Sequence, residues 1–280
     1  MQLQTLNNIS IEKITEAFNL SFSDYFVPIN LTAGQLAGKM KSESVDLALS
    51  AGAFEGEELI GFILHGIDTI NGQKTAYNAG TGVIPGQRGK KITNRLYAFI
   101  LPKLKEAGIQ RVQLEVISEN EPAKAAYRKV GFTMKRELHC FKGLIKEPGA
   151  KNDRLIQQLN NHDWPLLKSF WDWHPSWQNS VTAVDNLLET NITLGLFAGD
   201  TLAGYLIYNP DSKRVQQFAV GKPYRRQGVA TALFSYLASH FNAELSLINI
   251  DGNATGTLVF LQHTGLSPGV RQYEMEYAIG

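Results

Sequence analysis

The chain repeats itself, and a repeat limits the folds open to a sequence more than any single motif does. Residues 54–62 read FEGEELIGF and residues 197–205 read FAGDTLAGY. Both fit Phe-x-Gly-acid-x-Leu-x-Gly-aromatic, the pattern of a strand, a Gly-acidic turn and a second strand. A second similarity follows. VIPGQRGKKIT at 83–93 and VGKPYRRQGVA at 220–230 each leave a strand-like run and enter a helical pattern. In the first half Ile92, Leu96, Phe99, Ile100 and Leu104 recur at helical spacing; in the second, Val229, Leu233, Leu237 and Phe241 do. Each half continues with a strand, VQLEVI at 112–117 or ELSLINI at 244–250, and a helix closing on Gly131-Phe132 or Gly265-Leu266. The offset drifts from 143 to 137 to 134, as small loop insertions and deletions would make it.

A domain averages about 150 residues, so 280 residues with one repeat imply two α/β domains, 1–147 and 148–280. The division falls in KEPGAKND, 146–153, where Pro148 and Gly149 sit among charges ahead of a new helical pattern. Pro102 lies within the first repeated helix, where it should kink or end it.

Composition closes several other routes. Lys and Arg total 27 against 26 Asp and Glu, without the basic excess of a nucleic-acid binder. The one cysteine, Cys140, makes neither an internal disulfide nor a cysteine metal site. The six histidines lack a His-Glu-x-x-His spacing, and no Gly-x-Ser-x-Gly elbow occurs. The N-terminus lacks the basic-then-apolar pattern of a secretory signal. No apolar run reaches about 18 residues. A cytoplasmic protein without metal, membrane or nucleic-acid partners is the expectation.

The repeated strand-to-helix junction suits phosphate. The first turn of a helix carries N–H groups without intrahelical partners, and the macrodipole adds about half a positive charge there. Small residues let a pyrophosphate approach that backbone. Arg225-Arg226-Gln227-Gly228-Val229-Ala230 supplies such an end, and Arg88-Gly89-Lys90-Lys91-Ile92-Thr93 supplies its counterpart. The plainer reading is an ordinary junction with solvated arginines.

In these residues the sequence resembles the GNAT family of N-acetyltransferases, as two tandem copies over nearly the whole chain. The family signature is Gln or Arg, two residues, Gly, one residue, then Gly or Ala. Arg225 to Ala230 matches throughout, whereas the first copy has Lys91 and Thr93 at the two small positions. The resemblance implies acetyl-CoA as cofactor, its pyrophosphate held by these backbone amides. It also implies that the strand residue before each loop, Val83 or Val220, bonds the pantetheine arm through its backbone. Downstream the first copy fits better, with Asn120, Ala123, Tyr127 and Gly131-Phe132. The second has Asn253, Gly256 and Phe260 or Leu261, and lacks the Tyr.

Acetyl transfer to an amine needs a neutral amine, a polarised thioester carbonyl and a proton for the leaving thiolate. The resemblance makes Tyr127 the acid, against the plain reading of an aromatic packed on the sheet. Neither AYNAGTGV (76–83) nor VQQFAV (215–220) carries the carboxylate base common in the family. Glu115 is a candidate by strand alternation, although a solvated strand residue is the commoner case. On the acceptor side the candidates are Asp24 and Tyr25 in FSDYFVPI, and Trp173 and Trp177 in a stretch holding all four tryptophans. The plainer reading of the tryptophans is packing.

The leading expectation is an acetyl-CoA-dependent N-acetyltransferase acting on a small-molecule or peptide amine. Its first copy is catalytic through Tyr127, and its second is a further cofactor site or a structural copy. The variant makes the second copy, with its cleaner loop, the active one. A non-catalytic coenzyme A sensor or partner-binding module, and an acyl or aminoacyl transferase, are the other readings.

Overall fold

The computed structural model describes residues 1–26, 29–146, 155–241 and 244–280. The chain forms two compact units, residues 1–135 with 273–280, and residues 136–272.

In the first unit β1 (Gln2–Thr5) precedes α1 (Ile11–Phe22), which starts where the Ser10 side chain accepts from the Lys13 N–H. A capping box between Thr32 and Gln35 opens α2 (Ala33–Ser42). The hairpin read at 54–62 joins β2 (Ala51–Glu55) to β3 (Glu58–Ile70), with Gly56 at positive φ in its turn. Asn71 and Gly72, both at positive φ, turn β3 into β4 (Gln73–Val83), as a two-residue hairpin requires. After α3 (Ile92–Glu106), β5 (Arg111–Ile117) lies parallel to β4, and α4 (Glu121–Val130) leads into β6 (Thr133–Gly143). The periodic residues of α3 pack on Val112, Leu114 and Val116 of β5. The helix runs on through Pro102. The carbonyl that Pro102 leaves without a bond is that of Ala98, on the exposed face.

The second unit takes residues 136–143 of β6. It continues with β7 (Ile156–Gln158), α5 (Trp164–Ser169), α6 (Val181–Asp185), β8 (Ile192–Ala198), β9 (Thr201–Asn209), β10 (Arg214–Val220), α7 (Val229–Phe241), β11 (Leu245–Asp251) and α8 (Thr255–His263). The last strand, β12 (Ser267–Ala278), gives its first residues to this unit and 273–278 to the other. The sheet order is β6-β11-β10-β9-β8-β7, with β10 and β11 parallel. Val229, Leu233 and Leu237 of α7 bury against Leu206, Val215, Leu245 and Leu247.

The expected division at 147/148 lies outside the described residues, and the compact units are drawn differently from the two repeats. Each is finished by a strand from the other half of the sequence. Phe141 of β6 pairs with Leu247 of β11 and joins the core of unit 2. Met275 joins the core of unit 1, where Ile279 donates to the Gln110 carbonyl and Glu276 pairs with Arg111. A repeat read along the chain carries no sign of such long-range pairing. Among the described residues no helix is long and apolar enough to cross a membrane, and no His, Cys, Asp and Glu cluster is placed to hold a metal.

Ending the chain after Gln272 therefore removes part of the core of unit 1. Met275→Ala alone should cost about 2–5 kcal/mol in urea unfolding. The truncated chain should lose cooperative unfolding of that unit. A stability unchanged by either would contradict the assignment.

Candidate functional site

The two strand-to-helix junctions are built alike. Arg88 Nε donates to the Val83 carbonyl at 3.2 Å, and Arg225 Nε to the Val220 carbonyl at 3.1 Å. The far nitrogens reach Ser21 O and Asp24 in one unit, Phe170 O and Asp172 in the other. Both arginines thus fold back and tie the loop to its own strand and to the preceding helical segment. The sequence suggested phosphate ligands or solvated side chains; the geometry makes them clamps. Their guanidinium groups also engage the carbonyls of Val83 and Val220.

Each loop needs two residues at positive φ before its helix. Unit 2 uses Arg226 and Gly228, and unit 1 uses Gly89 and Lys91, so the glycine falls at opposite positions. At Gly228 a Cβ would meet nothing within 4 Å, so open space lies over the start of α7. Lys91 puts a side chain at that point of α3, left-handed and without a side-chain cap. Lys90 is engaged with Gln87, and Gln227 with the Pro223 carbonyl. Ile92 and Val229 are buried as the first core residues of their helices, while Thr93 and Ala230 are half-exposed in the first turn.

In unit 2 a cavity of about 710 Å3 runs from this loop along the parting of β10 and β11. The two strands share a single register pair, Arg214 with Ser246. Arg226, Gly228, Ala230 and Thr231 line one end, and Trp171, Trp173, Tyr205, Asn179, Gln216 and Gln217 another part of the wall. Gln216 is the extra residue of a β-bulge, standing between Val215, opposite Tyr208, and Gln217, opposite Ile207. A hydrogen-bonded chain braces the wall. Trp171 Nε1 donates to Tyr205 Oη (2.6 Å), Tyr205 Oη to Gln217 Oε1 (3.0 Å), and Gln217 Nε2 to the Asn179 carbonyl (2.6 Å). Burial raises the Tyr205 pKa far above that of a free phenol, so this hydroxyl is a donor and not a charge. Asn179 Oδ1 and Gln216 Oε1 are buried with no hydrogen-bond partner.

The corresponding region of unit 1 carries a hydrogen-bonded group of side chains. β4 and β5 share three register pairs before parting. Beyond them Asn78 Nδ2 donates to Thr81 Oγ1 (2.7 Å) and Tyr97 Oη (2.8 Å). Tyr127 lies edge-on to Tyr97 and to Phe132, buried, and burial pushes its pKa up to about 12. Ala79 holds the bulge position that Gln216 holds in unit 2. Phe18 and Phe62 pack on β4, where a Cβ on Gly82 would come within 2.5 Å of Phe62.

The candidate acid and base are not brought together. Glu115 accepts from the buried Tyr77 hydroxyl and alternates with Leu114 and Val116, which join Tyr127 in the core. It therefore faces the opposite side of the sheet. In unit 2 the Tyr127 position is Leu261, fully buried. The helix ends settle that register: Asn120 and Ala254 are the N-caps of α4 and α8. Phe132 N–H bonds the Tyr127 carbonyl as Leu266 N–H bonds that of Leu261. Asn120 caps α4 through Ala123 N–H and lies near the Tyr25 hydroxyl.

Of the acceptor-side candidates, Asp24 is exposed and held below the usual carboxylate range by its bond to Arg88. Burial raises the Tyr25 pKa. Trp173 lines the cavity, and Trp177 is buried outside its lining. The sequence reading passed over Asn179, Tyr205, Gln216 and Gln217. The consecutive glutamines in VQQFAV were a signal, because two polar residues on one apolar strand put at least one on its packed face.

The sequence profile of the Acetyltransferase (GNAT) family matches residues 12–132 and 156–257. The chain belongs to that family, as two tandem copies. Solved structures with the same fold include a tandem GNAT protein from the clavulanic acid biosynthesis pathway, with 13% identity, a TM-score of 0.72, and 100% of this chain and 99% of that one covered. A GCN5-related N-acetyltransferase from Sphaerobacter thermophilus has 14% identity and a TM-score of 0.70, over 99% and 95% of the two chains. A putative acetyltransferase from Pyrococcus horikoshii has 12% identity and a TM-score of 0.73, over 99% and 89%. No curated protein matches the chain.

The packed interior of unit 1 carries a pH signature. His65 is buried with Nδ1 2.8 Å from the Leu49 carbonyl, and burial lowers its pKa from 6.5 to about 4. The unfolded chain takes up this proton and the folded one does not. The stabilisation is therefore whole above pH 6.5 and is lost as pH falls toward 4, by about 3 kcal/mol. Urea midpoints at pH 7.5 and 4.5 should diverge less in His65→Gln than in the parent. Equal divergence would contradict the assignment.

Proposed function

We propose that this chain is an acetyl-CoA-dependent N-acetyltransferase of an amine, and that unit 2 holds its transfer site. The observation that carries the reading is the continuous cavity from the α7 N-terminus, through the parted strands, to a polar wall. In unit 1 the region beyond the paired ends of β4 and β5 carries Asn78 bonded to Thr81 and Tyr97, and Lys91 stands where Gly228 leaves open space. On this reading catalysis lies in the second copy, and not in the first through Tyr127.

The residues present suit coenzyme A. Gly228 leaves open space over backbone N–H groups that have no intrahelical partner. Arg226 is exposed beside it, and Ala230 keeps the first turn narrow. Bound there, acetyl-CoA would supply the activated acetyl thioester. The remaining requirements fall on the chain. The bulge at Gln216 takes a backbone group out of the sheet ladder, where it is free to donate toward a carbonyl. The tryptophan and tyrosine walls give the acceptor apolar faces to pack on. Among the described residues, the one carboxylate lining the cavity, Asp172, is engaged by Arg225. Unit 2 therefore works by positioning, and the acceptor enters as the free amine.

Two outcomes follow. Gly228→Glu should abolish acetyl-CoA binding by calorimetry and all turnover, whereas Tyr127→Phe should leave kcat/KM within about twofold. The reverse pattern would return catalysis to unit 1, and binding without turnover on any amine would favour the sensor. Second, log kcat/KM should rise with unit slope up to the pKa of the acceptor amine, and the break should move when amines of different pKa are used. A break at one pH for every acceptor would reveal an enzyme base.

A further inference from the structure

The cavity of unit 2 also carries information about its acceptor, on the reading that this cavity is the transfer site. Asn179 is 3% exposed and Gln216 is 6% exposed, and each leaves its side-chain carbonyl oxygen without a partner. A buried unpaired acceptor costs roughly 1–3 kcal/mol, so two on one wall call for donors from outside the protein. Asn179 cannot relieve its own deficit by turning over. Its Nδ2 is held by the Ile248 carbonyl at 2.8 Å, which fixes Oδ1 on the other side. Its backbone carbonyl is taken by Gln217, itself oriented by Tyr205 and Trp171.

Charge narrows the choice. The ionisable side chains on the cavity wall that are charged near neutrality are Asp172, Arg225 and Arg226. The first two are paired with each other, and Arg226 stands in the loop before α7. An amino acid would bring a carboxylate with no cation waiting on the polar wall. A polyamine would bring a second ammonium with no free carboxylate. Trp171 and Trp173 add flat apolar faces that suit an uncharged ring or carbon chain.

We propose that the acceptor is a primary amine on a hydroxyl-bearing, otherwise uncharged body, an amino sugar or amino alcohol. Its O–H and N–H donors are received by Gln216 Oε1 and Asn179 Oδ1. Unit 1 has no such wall: Ala79, Gly80 and Phe62 stand where Gln216, Gln217 and Tyr205 stand in unit 2.

The test uses the full chain, acetyl-CoA and four acceptors: glucosamine, cyclohexylamine, glycine and putrescine, each compared at its free-amine concentration. Glucosamine should exceed each of the others in kcat/KM by at least tenfold. Gln216→Met should raise the KM for glucosamine at least tenfold, and by a larger factor than the KM for cyclohexylamine; an equal rise for both would contradict the assignment. Gln216→Glu, which supplies a carboxylate at the same place, should move the preference toward putrescine. The acetyl-CoA Kd and the thermal midpoint of each variant report whether the fold and the cofactor end are intact. If either is lost in Gln216→Met, the Gln216→Glu and Asn179→Asp variants are read instead, for the same putrescine shift. A preference for glycine, putrescine or cyclohexylamine in the parent would overturn the proposal while leaving the transferase reading in place. Failure of the parent to bind acetyl-CoA in unit 2 would overturn both.

Discussion

Two neighbouring parallel strands that pair at one end and part at the other leave a wedge that must be filled. The two copies line it with different residues. In unit 1 the wedge between β4 and β5 holds Asn78, Thr81, Tyr97 and Tyr127, with their polar groups bonded to one another. In unit 2 β10 and β11 part at the equivalent pair, Arg214 with Ser246, as β4 and β5 do after Tyr77 with Gln113, and a cavity of about 710 Å3 opens beyond it. An unfilled wedge forfeits packing contacts, and a fold keeps one where a ligand supplies them.

The loops at the wide end are held by the same device in both copies. A guanidinium cross-braces the loop to the carbonyl of the strand it leaves and to an aspartate on a neighbouring segment. This fixes a tight turn with two left-handed residues, at the energetic cost of non-glycine residues there. The conserved frame is therefore mechanical, and what differs between copies is the residue standing over the helix start. Gly228 opens that point, and Lys91 occupies it.

Much of the architecture was legible in the sequence. The hairpin at 54–62, the helical spacing of Ile92 to Leu104 and the matching run from Val229 to Phe241 all stand as read. These are local patterns, and local physics sets them. The strand partners were not legible, because no periodicity tells β6 that its neighbour is β11. The candidate site divided in the same way. The loop 225–230 is a local motif, so its backbone geometry was legible from residue types. The burial of Tyr127 was not, because its place in the motif carries no information on burial. The wall of Asn179, Tyr205, Gln216 and Gln217 joins four segments far apart in sequence, and only the fold assembles it.

The central claim is that the cavity of unit 2, and not the corresponding region of unit 1, takes the cofactor. The most direct measurement is the stoichiometry of acetyl-CoA on the intact chain, with amide exchange to locate it. The account predicts one equivalent per chain and protection gained in 226–231, with 89–93 unchanged. Two equivalents, or protection at 89–93, would contradict it.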